Sequence, residues 1–183
     1  MALCLFNRSA SLRLPRYFSW LEPGLAGTDR PRSQQELQGM VRSGVVHLVS
    51  LSPEAPPPED EVPGLKVHLM PVEDFEAPSQ KQLWQFVKLV QDAMKRGEGV
   101  AVHCRGGNGR TGTLLVVWLV WSKGLGAEEA LREVRRARPG AVESWKQEEA
   151  IRKFQQSWKM SLRQFMSPLT LSRHKVQAEE GTS

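Results

Sequence analysis

Three short segments rich in β-branched residues alternate with longer segments of helical periodicity, and this alternation is the strongest constraint on the fold. The short segments span residues 45–51, 65–72 and 99–104, and each is bounded by glycine or proline. Strands separated by helices pair in parallel through right-handed crossovers, and both faces of such a sheet must be covered. The sequence therefore predicts an α/β fold, with a central, mostly parallel sheet and helices on both faces.

The helical segments differ in how they should pack. Within residues 80–96 apolar side chains recur at helical spacing among charged ones, which is typical of a helix that packs on one side. Residues 114–121 are apolar all round, so this helix should be enclosed at the centre of the domain. Ser33, Ser79 and Ser144 each stand three residues before a Glu or Gln, as in a capping box, and should begin helices.

Length and composition predict one domain with two extensions. The chain has 183 residues, 40% of them apolar, which suffices for one core of ordinary size. We place the domain at residues 17–160, an N-terminal extension at 1–16 and a flexible tail at 161–183. The extension carries arginine and serine but no acid, so a mitochondrial presequence is the alternative to the cytoplasmic, or also nuclear, location that we expect.

Several classes of protein are disfavoured. Cys4 and Cys104 are a hundred residues apart, which excludes a disulfide framework and a C-x-x-C site and favours a reducing compartment. No histidine pair has metal-ligand spacing, so we expect no metal and no cofactor. The longest apolar run, 114–121, is too short to span a membrane. The net charge of +5 favours an anionic partner.

Two polar segments are interpreted as surface features. Residues 52–64 are rich in proline and acids and should form an exposed loop. Four arginines within residues 131–140 lie toward the end of a helix, where cations interact favourably with the dipole. No aromatic platform accompanies them, so a solvated helix end is preferred over a nucleic-acid site.

Residues 103–112, HCRGGNGRTG, carry the main chemical signal. Cys104 ends a predicted strand, a turn with three glycines follows, and a helix begins near Arg110. Such a turn can direct successive N–H groups inward, and the helix N-terminus adds positive charge, so together they form a cradle for an anion. A cysteine in these surroundings favours its thiolate, and Arg110 can bind a phosphate through two donors. The segment predicts a nucleophile beside a bound phosphate.

Phosphoryl transfer to a thiolate also needs a proton donor for the leaving group. Asp74 directly follows the predicted strand 65–72 and should reach the same edge of the sheet as Cys104. Glu73 is the competing candidate.

The segment resembles the motif His-Cys-x-x-Gly-x-x-Arg-(Ser/Thr) of the protein tyrosine phosphatase superfamily, here residues 103–111. Residues 17–158 are similar to the small atypical dual-specificity phosphatases. The resemblance is carried by the motif and by residues 18–27, 43–51, 63–68, 72–75 and 136–148.

This resemblance implies a role for each matching residue. Cys104 would be the nucleophile, Arg110 the phosphate clamp, and Asp74 the general acid and later the general base. Thr111 would donate to the sulfur as the intermediate breaks down, and His103 would help to set the reactivity of the thiolate. The phosphate would lie in the loop formed by Arg105, Gly106, Gly107, Asn108, Gly109 and Arg110.

The resemblance also implies what the protein acts on. Substrates would be proteins phosphorylated on tyrosine, serine or threonine, hydrolysed without a metal. The sequence does not give the oligomeric state, and we expect a monomer. Arg105 and Asn108 depart from the pattern, and the added charge of Arg105 resembles the basic loops of inositol-lipid phosphatases. Phosphoinositides, RNA 5′-phosphates and a non-catalytic phosphate-binding module therefore remain alternatives. Glu143 or Gln147 could orient the hydrolytic water, although capping by Ser144 also explains Gln147.

Overall fold

The computed structural model describes residues 12–58 and 61–165; expectations for residues 1–11, 59–60 and 166–183 lie outside this part. The described strands are β1 (Ser19–Glu22), β2 (Leu25–Thr28), β3 (Val45–Ser50), β4 (Lys66–Leu69) and β5 (Gly99–His103). The described helices are α1 (Gln34–Arg42), α2 (Gln80–Lys95), α3 (Gly109–Ser122), α4 (Ala127–Ala137) and α5 (Trp145–Phe165).

The strands form one sheet in the order β1-β2-β5-β3-β4, with β5 at its centre. Only β1 and β2 pair antiparallel in this sheet, and all other neighbours are parallel. One face packs against α2, α3, α4 and α5, in a cluster that includes Val100 and Phe154. The other face packs against α1 through Ala101 and Met40. The predicted α/β fold, mostly parallel and covered on both faces, is confirmed.

Two of the strands, β1 and β2, are not among those predicted. They form a hairpin whose turn contains Gly24 at φ 92°, a conformation that glycine adopts without strain. The strand β2 has the sequence LAGT, which lacks a run of β-branched residues but is fully buried. Its burial between β1 and β5 comes from tertiary pairing, so the local pattern gives little sign of it.

The predicted helix starts are confirmed. The Ser33 hydroxyl accepts a hydrogen bond from Glu36 N at 3.3 Å, and Ser79 forms a complete capping box with Gln82. The apolar helix is α3, in which every residue from Gly109 to Val120 is buried. Its first turn directly follows the glycine-rich segment, so the most enclosed helix of the domain anchors that segment.

The ordered domain is longer than predicted at both ends. Leu14 packs against the cluster around α1, and Pro15 is buried, so part of the predicted extension belongs to the domain. The helix α5 continues to Phe165, which corrects the predicted tail at residues 161–165. No helix within the described residues is long and apolar enough to cross a bilayer.

Candidate active site

Cys104 lies directly after the central strand β5, at the carboxyl end of the parallel strands. Its side chain is buried, with 3% of the residue surface exposed. The sulfur accepts a hydrogen bond from the N–H of Gly107 at 3.2 Å. The loop therefore curls back over the sulfur, as the sequence predicts for a turn that directs N–H groups inward.

Gly107 is required by the shape of this loop. Its φ is +76°, and a Cβ added there would lie 2.7 Å from the backbone of Thr28 and Asp29. The loop is also tied to β2 through Arg105, whose carbonyl accepts a hydrogen bond from Arg30 N at 3.2 Å. The side chain of Arg105 and the backbone of Gly106 are exposed, so the mouth of the loop is open.

Arg138 supports the same loop from the interior of the domain. This corrects the prediction that it is solvated at the end of a helix. Its side chain is buried and donates two hydrogen bonds to the carbonyl of Gly107, at 2.8 and 3.2 Å. It also donates to the carbonyls of Tyr17 and Gly27. Burial lowers the pKa of Arg138, but a guanidinium remains charged in proteins, so it adds a buried positive charge near Cys104.

Arg110 is buried at the start of α3 and holds two carboxylates. Its Nη2 atom lies 2.7 Å from Glu54 Oε1 and 2.8 Å from Asp74 Oδ1, and its Nη1 atom donates to the Val72 carbonyl at 2.7 Å. Burial opposes the charge on Arg110, but its hydrogen bonds to Glu54 together with its attraction to Cys104, Glu54 and Asp74 outweigh this, and the pKa of Arg110 is raised. The same contact lowers the pKa of Glu54.

Glu54 was not expected in the site. Residues 52–64 are predicted as an exposed loop, yet Ser52, Ala55 and Val62 are buried, and Glu54 reaches Arg110. The presence of Glu54 in the site could have been predicted from its position in the sequence. It follows β3 at the carboxyl edge of the sheet, as Asp74 follows β4. The proline-rich composition, which is typical of surface loops, concealed this.

Asp74 is held on a loop that is fastened to the start of α5. The next residue, Phe75, has φ 59°, a left-handed conformation that is uncommon for residues other than glycine. The Phe75 carbonyl accepts a hydrogen bond from Ser144 at 2.8 Å, and Lys146 pairs with Glu76. These contacts keep Asp74 facing Arg110. The alternative, Glu73, is exposed like Asp74 but forms no ion pair within the described residues.

Glu143 and Gln147 lie between the Cys104 loop and the segment that follows Asp74, since Gln147 donates a hydrogen bond to the Glu76 carbonyl at 3.2 Å. The Glu143 carboxylate accepts a hydrogen bond from Gly109 N at 2.8 Å, and the Glu143 N–H donates to the Gln147 side chain at 2.9 Å. Val142, at φ 63°, turns the chain so that Glu143 reaches the first N–H of α3. A bound phosphate and Glu143 would therefore compete for Gly109, one of the predicted phosphate-binding residues.

His103 and Thr111 flank the loop in the buried interior. The Nε2 atom of His103 and the hydroxyl of Thr111 have no hydrogen-bond partner within residues 12–58 and 61–165. Burial lowers the pKa of His103 to about 4, so the imidazole is neutral at physiological pH. The described residues contain no cluster of three or more His, Cys, Asp or Glu that could hold a metal ion.

The buried His103 should make stability depend on pH. Its pKa is about 4 in the folded chain and 6.5 in an ordinary environment, so between these values the unfolded chain binds the extra proton. Stability therefore decreases as the pH falls, by about 2 kcal/mol from this group between roughly pH 7 and pH 5. Urea unfolding at both pH values should show a smaller decrease for His103→Gln than for the wild type. Equal decreases in the two proteins would contradict this.

The sheet order, the cysteine loop after its central strand and the paired arginine together define the class of phosphatases with the protein tyrosine phosphatase fold. The family model for the DSP-PTPase phosphatase domain of Swiss Army Knife proteins, PTP-SAK, matches residues 15–151. The chain belongs to this family, which confirms the resemblance to the small dual-specificity phosphatases.

Curated relatives agree with this assignment. The chain is 40% identical over 88 residues to the tyrosine-protein phosphatase cdc-14 of Caenorhabditis elegans, which covers 48% of this chain and 12% of that protein. It is 28% identical over 110 residues to dual specificity protein phosphatase 22 of Xenopus tropicalis, covering 58% and 50% of the two chains. The chain thus spans a small part of the first relative and about half of the second.

Solved structures share the fold. Tk-PTP in its active form matches with a TM-score of 0.68 and 33% identity, over 77% of this chain and 97% of that chain. PTPMT1 in complex with PI(5)P matches with a TM-score of 0.72 and 15% identity, over 80% and 99%. At this identity, the likeness to PTPMT1 concerns the fold alone.

Proposed function

We propose that this chain hydrolyses phosphate monoesters on proteins, with dual specificity for phosphotyrosine and phosphoserine or phosphothreonine, through a phosphocysteine intermediate. The observation that carries the proposal is the position of Cys104 beneath a loop whose Gly107 N–H donates to its sulfur and whose last residue is the buried Arg110, with Asp74 at 2.8 Å from that arginine. Phosphoryl transfer requires mainly such positioning and charge stabilisation.

In the first step the Cys104 thiolate attacks phosphorus. An S–P bond forms, the bond from phosphorus to the leaving oxygen breaks, and that oxygen takes a proton from Asp74. The phosphate dianion replaces the carboxylates at Arg110, which binds two of its oxygens. Asp74 thereby leaves its ion pair as the substrate enters and is free to face the leaving group.

In the second step water attacks the phosphocysteine. Asp74 accepts a proton from this water, an O–P bond forms, and the S–P bond breaks to return the thiolate and release phosphate. The unpartnered Thr111 hydroxyl can donate to the departing sulfur, and Glu143, beside the loop at Gly109, can help to orient the water. No step needs a redox change.

Replacing Asp74 should have an effect that depends on the leaving group. In Asp74→Ala protein, turnover of phenyl phosphate should fall by about 10² to 10³-fold, because the phenolate then leaves without a proton. Turnover of an aryl phosphate with an acidic phenol should fall much less, since that phenolate needs little protonation. Steady-state kinetics over a series of aryl phosphates tests this.

Glu73→Ala is the matched control, because Glu73 is the neighbouring and exposed carboxylate. It should leave the dependence on leaving group unchanged. If Asp74→Ala lowers turnover equally for every leaving group, Asp74 is not the general acid.

The substrate class is tested by measuring rates on phosphopeptides, phosphoinositides and triphosphorylated RNA under the same conditions. The phosphopeptides should have the highest kcat/KM. Arg105, exposed at the mouth of the loop, is the feature that favours the lipid alternative. A higher rate on phosphoinositides would therefore replace the protein substrate by a lipid, and binding without any turnover would indicate a recognition module.

A further inference from the structure

A cavity of about 470 Å³ lies beside the phosphate-binding loop. Its walls are residues 16–19 before and within β1, Asn108 of the loop, and residues 137–140 at the end of α4 and directly after it. We call it the flanking pocket. Because Asn108 belongs to both, a group bound in the flanking pocket would lie next to the phosphate held by residues 105–110.

Three polar groups at this pocket form no hydrogen bond or ion pair within the described residues. The Arg16 guanidinium lies 5.9 Å from the centre of the Tyr17 ring and forms no ion pair there. The Tyr17 hydroxyl and the Asn108 amide likewise form no hydrogen bond in that part of the chain. Arg16 and Tyr17 are exposed, so all these donors are accessible to a ligand.

The charge of the flanking pocket is positive. Among the described residues its charged lining consists of Arg16 and the buried Arg138, and no carboxylate lines it. The buried Asp29, which accepts a hydrogen bond from the Tyr17 N–H at 3.1 Å, offsets part of the charge of Arg138 and leaves that of Arg16. Arg138 already donates its hydrogen bonds to backbone carbonyls, so it contributes charge, while Arg16 contributes free donors. The pocket therefore suits an anionic group.

The walls also include apolar surface from Tyr17, Phe18 and Pro139. A glutamate side chain matches this combination, because its aliphatic stem can pack against the rings while its carboxylate meets one guanidinium in a two-donor contact. An inositol ring with several phosphates would need more donors than Arg16 alone provides.

We propose that the flanking pocket is a specificity subsite for an acidic side chain close to the phosphorylated residue of a protein substrate. The proposal rests on the proposed function, because it assumes that a phosphopeptide is bound in the adjacent loop. An extended peptide advances about 3.4 Å per residue, so a side chain within about three positions of the phosphorylated residue can reach the pocket.

The test uses phosphotyrosine peptides of alanine background, with glutamate placed in turn at each neighbouring position. At one or two positions glutamate should raise kcat/KM of the wild type about fivefold, the effect of a good exposed ion pair. In Arg16→Gln protein this gain should disappear, while rates on the all-alanine peptide and on a small aryl phosphate stay unchanged. The control Arg132→Gln, exposed on α4 and outside the pocket, should keep the gain.

Binding of the same peptides to Cys104→Ser protein gives a second readout that does not need turnover.

Equal rates and equal binding for all peptides, with the aryl phosphate still hydrolysed, would overturn the subsite and leave the proposed function intact. A gain that survives in Arg16→Gln would overturn the role of Arg16. An Arg16-dependent preference for inositol bisphosphates over monophosphates, without one for acidic peptides, would overturn the peptide assignment. If none of the substrates is hydrolysed, the proposed function is wrong. The presence of the subsite is then judged from peptide binding to Cys104→Ser protein alone.

Discussion

Cys104→Ser protein should lose turnover of a small aryl phosphate by roughly 10⁴-fold or more, the usual consequence of removing a catalytic nucleophile. The serine hydroxyl is not ionised near neutral pH, so it is a much weaker nucleophile than the sulfur it replaces. The remaining loop should still bind phosphate, so phosphorylated peptides should be retained on the variant. Single-turnover kinetics and a binding assay measure the two effects separately.

Serine is close in size to cysteine, and the change should leave the fold intact. Circular dichroism and urea unfolding of Cys104→Ser protein should match those of the wild type to within about 1 kcal/mol. Undiminished turnover by the folded variant would exclude the phosphocysteine intermediate.

Replacing Arg138 should have the largest effect on stability. In Arg138→Gln protein the buried carbonyls of Gly107 and Gly27 and the half-buried carbonyl of Tyr17 lose the donors that the guanidinium provides. Each buried acceptor without a partner costs about 1–3 kcal/mol, so the free energy of unfolding should fall by about 3 kcal/mol. The reaction of Cys104 with iodoacetamide near neutral pH should slow as well, because a buried positive charge is removed.

Arg136→Gln is the matched control for Arg138, since it removes an exposed arginine from the same helix, α4. Its free energy of unfolding should stay within about 0.5 kcal/mol of the wild type. A loss below about 1 kcal/mol in Arg138→Gln would show that Arg138 does not support the loop.

The strand, turn and helix around Cys104 could be predicted because each is encoded locally. The β-branched run before Cys104, the glycines after it and the apolar pattern after Arg110 are adjacent in the chain, and their periodicities identify them. The same holds for the serine caps of α1 and α2. The fold class follows from the order of these elements.

The supports of the loop could not be predicted in this way. Glu54 and Arg110 are 56 positions apart, and Arg138 is 31 positions from Gly107. Neither contact leaves a periodic pattern, and the composition around each residue suggested the surface. A glutamate in a proline-rich segment and an arginine at a helix end are usually solvated, so only the tertiary structure distinguishes these two from their neighbours.

The two carboxylates paired with Arg110 also determine which anions can displace them from the guanidinium. A singly charged anion, such as chloride or a free carboxylate, offers Arg110 no more than Glu54 or Asp74 already provides. A phosphate monoester carries nearly two charges near neutral pH and three acceptor oxygens, so it alone among these gains by the exchange. On the proposed function, Arg110 should therefore discriminate by charge number and favour a phosphate monoester over common monovalent anions.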